Sequence, residues 1–310
     1  MASEWLECFS HGAFYNITAM LEAVAVISPR IIVAALVAIV VAAAAIGVFV
    51  VWYGRRRRAR PDTLPRKSTG LRHPVVLAHG LLGFDKIAVG GREHSYFRGV
   101  TNHLMRVGAE VHRPRVPSYA SIAPRAEALA RVIGQIRARK VNIIAHSMGG
   151  LDARYAIAKL GIADRVASLI TVGTPHLGTP VADLGARLSE LLKLKALLGR
   201  VVDVDAFHDL TTARMEKFNR DVADAPGVVY ASVVGRIDRG RAHPLLWATH
   251  AYLSERSGDN DGMVPAASQR WGEVLQEIEA DHWAQIGWSP GFDTLAFYEE
   301  LLRELRGRGF

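Results

Sequence analysis

One serine, two candidate carboxylates and one histidine have the types and spacing for acyl-transfer chemistry. Ser147 stands in Val141-Asn142-Ile143-Ile144-Ala145-His146-Ser147-Met148-Gly149-Gly150. The apolar run from Val141 to Ala145 reads as a short buried strand, and Leu151, Tyr155, Ile157 and Ala158 continue as a helical pattern. A serine at so sharp a strand-to-helix turn exposes its hydroxyl as a nucleophile. The turn demands small residues two before and two after the serine, and Ala145 and Gly149 meet that demand. Alanine replaces the usual first glycine, and its methyl group still fits.

A serine nucleophile needs a base, a group that orients the base, and donors for the oxyanion. The turn resembles the nucleophile elbow of α/β-hydrolases, in which an acid follows the serine and a histidine comes last. The acid falls in Ser257-Gly258-Asp259-Asn260-Asp261-Gly262-Met263-Val264-Pro265, where Asp259 and Asp261 compete. A turn or calcium role is the rival reading of that cluster. The base is His282, in Ala280-Asp281-His282-Trp283, just past the last predicted strand. His250 precedes the acid and breaks the order. His79 shapes a loop, while His146 and His176 flank the site without titrating in the mechanism. The oxyanion donors are the backbone N–H of Met148, after the nucleophile, and that of Leu81, in the glycine-punctuated loop His79-Gly80-Leu81.

These residues need a sheet to hold them. Val75–Ala78, Ala109–Arg113, Val141–Ala145, Val166–Val172, Val228–Val234 and Val274–Ile278 read as strands. Tyr96–Val107, Arg125–Arg139 and Thr294–Leu305 read as helices, and Leu129, Val132, Ile133 and Ile136 form one apolar face of the second. Strands alternating with helices predict an α/β fold, a mostly parallel sheet covered on both faces. With half of 310 residues apolar, one large domain can bury its core.

The N-terminal part differs in kind. Residues 1–30 are a mixed lead-in. Ile31 to Tyr53 then runs without a charge or a proline, and as a helix would be about 35 Å long, enough to cross a hydrocarbon core of roughly 30 Å. The run is too long, and starts too far into the chain, for a cleaved signal peptide. Arg55–Arg58, Arg60, Arg66, Lys67 and Arg72 crowd its C-terminal flank. Residues 54–70 therefore read as a basic linker, with the catalytic domain, residues 71–310, on the cytoplasmic side of a single-pass span. This local charge explains much of the net +8 without nucleic acid as a partner. The single cysteine, Cys8, excludes an intramolecular disulfide and a cysteine-based metal site.

Five ordered motifs, His79–Lys86, Ala145–Tyr155, Thr171–Asp183, Leu210–Asn219 and Asn260–Pro265, together resemble the bacterial true lipases of family I, α/β-hydrolases that cleave triacylglycerols. The resemblance spans most of residues 73–290. It implies Ser147 as nucleophile, Asp261 rather than Asp259 as acid, His282 as base, and Leu81 and Met148 as oxyanion donors. It also implies a lid insertion at roughly 176–225, in which Leu184, Leu188, Leu191 and Leu198 share a helical face and Lys195 interrupts it. The chain departs from the family in lacking a disulfide and in carrying Ala284 where a calcium-binding aspartate stands, so no metal and no cofactor is expected. The resulting expectation is a membrane-anchored serine hydrolase of lipid esters. The same chemistry suits an intracellular polyhydroxyalkanoate depolymerase, a phospholipase or an acyltransferase. A non-catalytic membrane scaffold is the reading from another class, and the intact set of Ser147, Asp261 and His282 counts against it.

Overall fold

The computed structural model of the chain describes residues 70–81, 87–89, 92–191 and 205–310. The strands are β1 (Val75–Ala78), β2 (Ile87–Val89), β3 (Arg92–His94), β4 (Val111–His112), β5 (Val141–His146), β6 (Val166–Val172), β7 (Val229–Arg236) and β8 (Glu273–Glu279). The helices are α1 (Val100–Arg106), α2 (Ile122–Gln135), α3 (Met148–Lys159), α4 (Pro180–Leu191), α5 (Asp205–Asp209), α6 (Thr212–Asp221), α7 (Trp247–Ser257) and α8 (Thr294–Gly307). Six strands form one sheet in the order β4-β1-β5-β6-β7-β8, every pair parallel. β2 and β3 pair apart from it as an antiparallel hairpin.

The strand sequences explain the layering. β1, β5 and β6 are buried along their whole length and apolar on both faces, as strands covered on two sides must be. Alternation splits their side chains between two cores. Val75 and Leu77 pack with Val100 and Leu104 of α1 and Phe297, Leu301 and Leu302 of α8. Val76 and Ala78 pack with Ala126, Leu129 and Ile133 of α2 and Ala153, Ala156 and Ile157 of α3. The α/β-hydrolase fold is thus present, its helices on both faces of a parallel sheet.

Several element boundaries differ from the sequence reading. α2 begins at Ile122, not Arg125, because Pro124 lies in its first turn, where a missing N–H breaks no intrahelical bond. It ends at Gln135, since Ile136 is extended. α1 begins only at Val100 because Gly99, at φ 75°, leaves the helical region. Arg98 N–H instead donates to the Ile286 carbonyl. The strand expected over Ala109–Arg113 shortens to Val111–His112 at the sheet edge. Part of the lid region, residues 192–204, lies outside the described residues. So do the lead-in, the apolar run 31–53 and nearly all of the basic linker. Among the described residues no helix is long and apolar enough to cross a membrane.

One buried ion pair ties α2 to α3 inside their layer. The Arg125 guanidinium, on α2, is fully buried and bonds Asp152 Oδ2 of α3 through Nε at 2.9 Å and Nη2 at 2.8 Å. Its Nη1 donates to the Pro117 carbonyl at 2.8 Å, and Nη2 also donates to the His79 carbonyl at 2.7 Å. Burial pushes the Asp152 carboxyl up to about 6, against the pull of Arg125. Arg125→Met would strand that carboxyl without its partner, so we expect a loss of about 3–5 kcal/mol in chemical denaturation. Arg125→Met combined with Asp152→Leu should regain most of it. A single variant as stable as wild type would show that the pair is not holding α2 to α3.

Candidate active site

The turn after β5 sets the geometry. Ser147 has φ 56° and ψ −134°, and among the described residues it is the one non-glycine residue at positive φ. Such a conformation costs roughly 1–3 kcal/mol and persists only where neighbours over-determine it. Here Ser147 N–H donates to the Val172 carbonyl at 2.9 Å, and the Thr174 hydroxyl donates to the Ser147 carbonyl at 2.8 Å. Ala145 is fully buried behind the turn. A Cβ on Gly149 would lie 2.6 Å from the Ala78 carbonyl oxygen, so the small-residue demand is a backbone-to-backbone contact.

Asp261 lies in the loop between α7 and β8, and His282 follows β8. The His282 Nδ1 and Asp261 Oδ2 are 2.7 Å apart, and His282 N–H donates to the Asp261 carbonyl at 2.8 Å. Asp261 is fully buried, and its Oδ1 accepts from the backbone N–H groups of Met263 and Val264. Asn260 braces this loop by accepting from Gly262 N–H and donating to the Gly258 carbonyl. Asp259 has no part in the cluster: its side chain is 73% exposed and pairs with Arg236 at 3.5 Å.

The His282 ring lies 4.5 Å, centroid to centroid, from the ring of His146, the residue before the serine. Ser147 and His282 are both largely buried at 9% and 7% exposure. Among the described residues the imidazole forms no hydrogen bond with the Ser147 hydroxyl, a bond often long in serine hydrolases before substrate binds.

The loop after β1 passes directly over the serine. A Cβ on Gly80 would sit 2.7 Å from Ser147 Cβ. Leu81 comes next and packs against the apolar cluster that includes Met148, Leu151 and Leu210. Met148 opens α3, so its N–H is one of those the helix cannot bond internally. His79 holds this loop, with Nδ1 3.0 Å from the Gly80 carbonyl oxygen.

The other histidines separate. His250 Nε2 donates to the Ile237 carbonyl at 2.7 Å and shares Nδ1 with Ser254, away from the cluster. His146 adjoins His282. His176 does not: it is buried in a second polar knot, bonded to Thr171 at 3.1 Å and stacked on Trp271, over which Arg154 lies at 3.5 Å. Ala284, at the place of the family's calcium ligand, is packed in the apolar core. The sequence reading missed Gln285 and Tyr96. Gln285 donates to Asp261 Oδ2 at 3.0 Å, and the Tyr96 hydroxyl is 2.7 Å from His146 Nδ1. Neither has a motif of its own, though Gln285 stands three residues after His282.

With this geometry in hand, comparison with known proteins places the chain. The Triacylglycerol lipase of Pseudomonas fragi is 30% identical over 264 residues, covering 69% of this chain and 88% of that protein. The chain belongs to the triacylglycerol lipase family. Triacylglycerol lipase 2 of Saccharomyces cerevisiae is 28% identical over 304 residues, covering 77% of this chain and 93% of the relative. Residues 74–220 match the family described as Palmitoyl protein thioesterase. Among solved structures, a metagenomic carboxyl esterase superposes with a TM-score of 0.66 over 81% of this chain and 80% of its own, at 19% identity. The mature form of a Bacillus licheniformis lipase superposes with a TM-score of 0.60 over 78% and 96%, at 24% identity. These two share the fold. This member of the lipase family is a carboxylic ester hydrolase.

Burial gives the lipase-family domain an acid limit. His146 and His176 are both fully buried, which holds each imidazole well below its ordinary value of 6.5; His282 pushes the first down further and Arg154 the second. Below pH 6.5 the unfolded chain takes up protons that these two folded rings refuse. Stability is therefore present above 6.5 and falls as pH drops, by up to about 1.4 kcal/mol per pH unit for each ring. Urea midpoints should decline from pH 7.5 to 5.5, and His176→Gln should flatten the decline. A flat wild-type profile would mean that these rings take up protons without unfolding.

Proposed function

We propose that this chain is a membrane-anchored lipase that hydrolyses carboxylic esters of lipids through an acyl-enzyme. Ser147 attacks the ester carbonyl. His282 takes the serine proton and returns it to the leaving alcohol, while Asp261 holds the imidazole in the productive tautomer. Backbone N–H groups of Leu81 and Met148 stabilise the oxyanion. Water then attacks the acyl-enzyme with His282 as base. The observation that carries this reading is the 2.7 Å bond between His282 and Asp261, formed beside the strained turn that presents Ser147. The triacylglycerol lipases among the relatives support a lipid ester as substrate.

Anchoring rests on the sequence. The uncharged run Ile31–Tyr53 spans the bilayer, and the arginines after it keep the catalytic domain on the cytoplasmic side. Leu177, Leu184 and Trp247 are exposed on the catalytic domain. A lid over roughly 176–225 would include Leu177 and Leu184. A second reading keeps the chemistry and changes the leaving group: the Palmitoyl protein thioesterase match favours a long-chain acyl thioester.

Ser147→Ala in a membrane fraction, assayed on p-nitrophenyl esters of graded chain length, should lose at least about a thousandfold in kcat/KM. Undiminished turnover would remove Ser147 from the mechanism. Wild-type rates on triolein emulsion, phospholipid vesicles, polyhydroxyalkanoate granules and an S-palmitoyl peptide should favour triolein; a preference for the peptide would replace the ester reading. A reporter fused after Phe310 should be active only in the cytoplasm.

A further inference from the structure

We infer that Tyr96, His146 and Gln285 form a one-way hydrogen-bond chain that ties the oxyanion loop to Asp261 and sets the position of both for turnover. The inference rests on the triad reading above. The Tyr96 oxygen lies against the oxyanion loop, 2.8 Å from where a Cβ on Gly80 would stand. The Tyr96 hydroxyl meets His146 Nδ1 at 2.7 Å, His146 Nε2 meets Gln285 Oε1 at 3.1 Å, and Gln285 Nε2 meets Asp261 Oδ2 at 3.0 Å. These contacts join residues 50, 139 and 24 positions apart in the chain.

The direction of every bond follows from the carboxylate end. A carboxylate only accepts, so the Gln285 amide must donate to it with Nε2. Its oxygen is then turned toward His146 and must accept. His146 Nε2 therefore carries the proton, and its Nδ1 accepts from the Tyr96 hydroxyl. Burial keeps His146 neutral and the phenol protonated, the states this order requires. No link can reverse without leaving a buried group unpaired.

The fold makes room for the amide at the expense of side chains. A Cβ on Gly173 would lie 2.2 Å from Gln285 Oε1, and one on Gly235 would lie 2.1 Å from its Nε2. The ends of β6 and β7 are thus bare where Gln285 crosses them. The loop over Ser147 and the acid that orients His282 sit on opposite sides of the serine. The chain gives them a common reference, so a displacement of one is felt by the other. The three are positioning residues, acting through Asp261, the His282 ring and the Gly80 loop.

The test compares Tyr96→Phe, Gln285→Met and the double variant with wild type on a p-nitrophenyl ester. Gln285→Met should lose roughly ten- to a hundredfold in kcat, the scale of a misplacement near 1 Å, with KM little changed. Tyr96→Phe deletes one oxygen and should lose about threefold to tenfold in kcat, again with KM held. Because both cut one chain, the double variant should be no slower than Gln285→Met alone. Tyr298→Phe serves as control, since the buried Tyr298 hydroxyl has no hydrogen-bond partner among the described residues, and should keep wild-type kcat. If Gln285→Met does not fold, Tyr96→Phe alone decides. Wild-type kcat in Tyr96→Phe, or losses that multiply in the double variant, would overturn the chain. Activity surviving in Ser147→Ala would instead overturn the triad, a result read on a separate protein.

Discussion

The conformation of Ser147 is the constraint on which the rest of the structure depends. A β-substituted residue at φ 56° and ψ −134° is held against its own preference. What holds it is a set of short backbone approaches: β6 through the Val172 carbonyl, Thr174 from the following loop, and the end of β1 pressed against Gly149. Three parallel strands end at the same height, and the serine is where they leave no room for a relaxed turn. Strain of this size is a small part of what the buried apolar faces of β1, β5 and β6 supply.

The cluster at the carboxyl edge is polar and nearly dry, so its geometry is set by completeness of hydrogen bonding. Asp261 has both oxygens bonded, to two backbone N–H groups, the His282 ring and the Gln285 amide. Each bond is stronger for being out of water, and each missing one would cost more for the same reason. Loops elsewhere can shift at little cost. Here a shift would unpair a buried group. The carboxylate of Asp261 is thereby held in one orientation against the His282 ring.

Arg125 and Arg154 do a related job on the other face. Both are buried, and both bond backbone carbonyls as well as their charged or polar partners. Arg125 reaches the His79 carbonyl, so the ion pair inside the helical layer also fixes the loop that crosses Ser147. Arg154, pushed down to about 10 by burial, lies between Trp271 and Phe218 and joins the end of α6 to the sheet side. The carboxyl edge of the sheet is therefore braced by charges that the apolar core alone would not tolerate.

Local pattern determined much of this in advance. Continuous apolar runs marked β1, β5 and β6, because a strand covered on both faces buries every side chain, and the apolar stripe of Leu129 and Ile133 marked α2, because burial on one face imposes a helical repeat. The turn at Ser147 was legible for a similar reason: tight backbone needs small residues at fixed offsets. The start of α2 lies three residues before the expected Arg125, since a proline that would break a helix interior is accommodated in the first turn. The choice between Asp259 and Asp261 was not open to residue type, as both are acids in one polar turn; the fold put one under His282 and the other in solvent. Gln285, Tyr96 and Arg125 carried no local signature at all. The side chains they bond lie 24 to 139 residues away, at distances fixed by strand order and helix packing. A sequence sets which segments can be strands or helices because that depends on near neighbours, while the meeting of distant polar side chains exists only after the sheet has closed in a particular register.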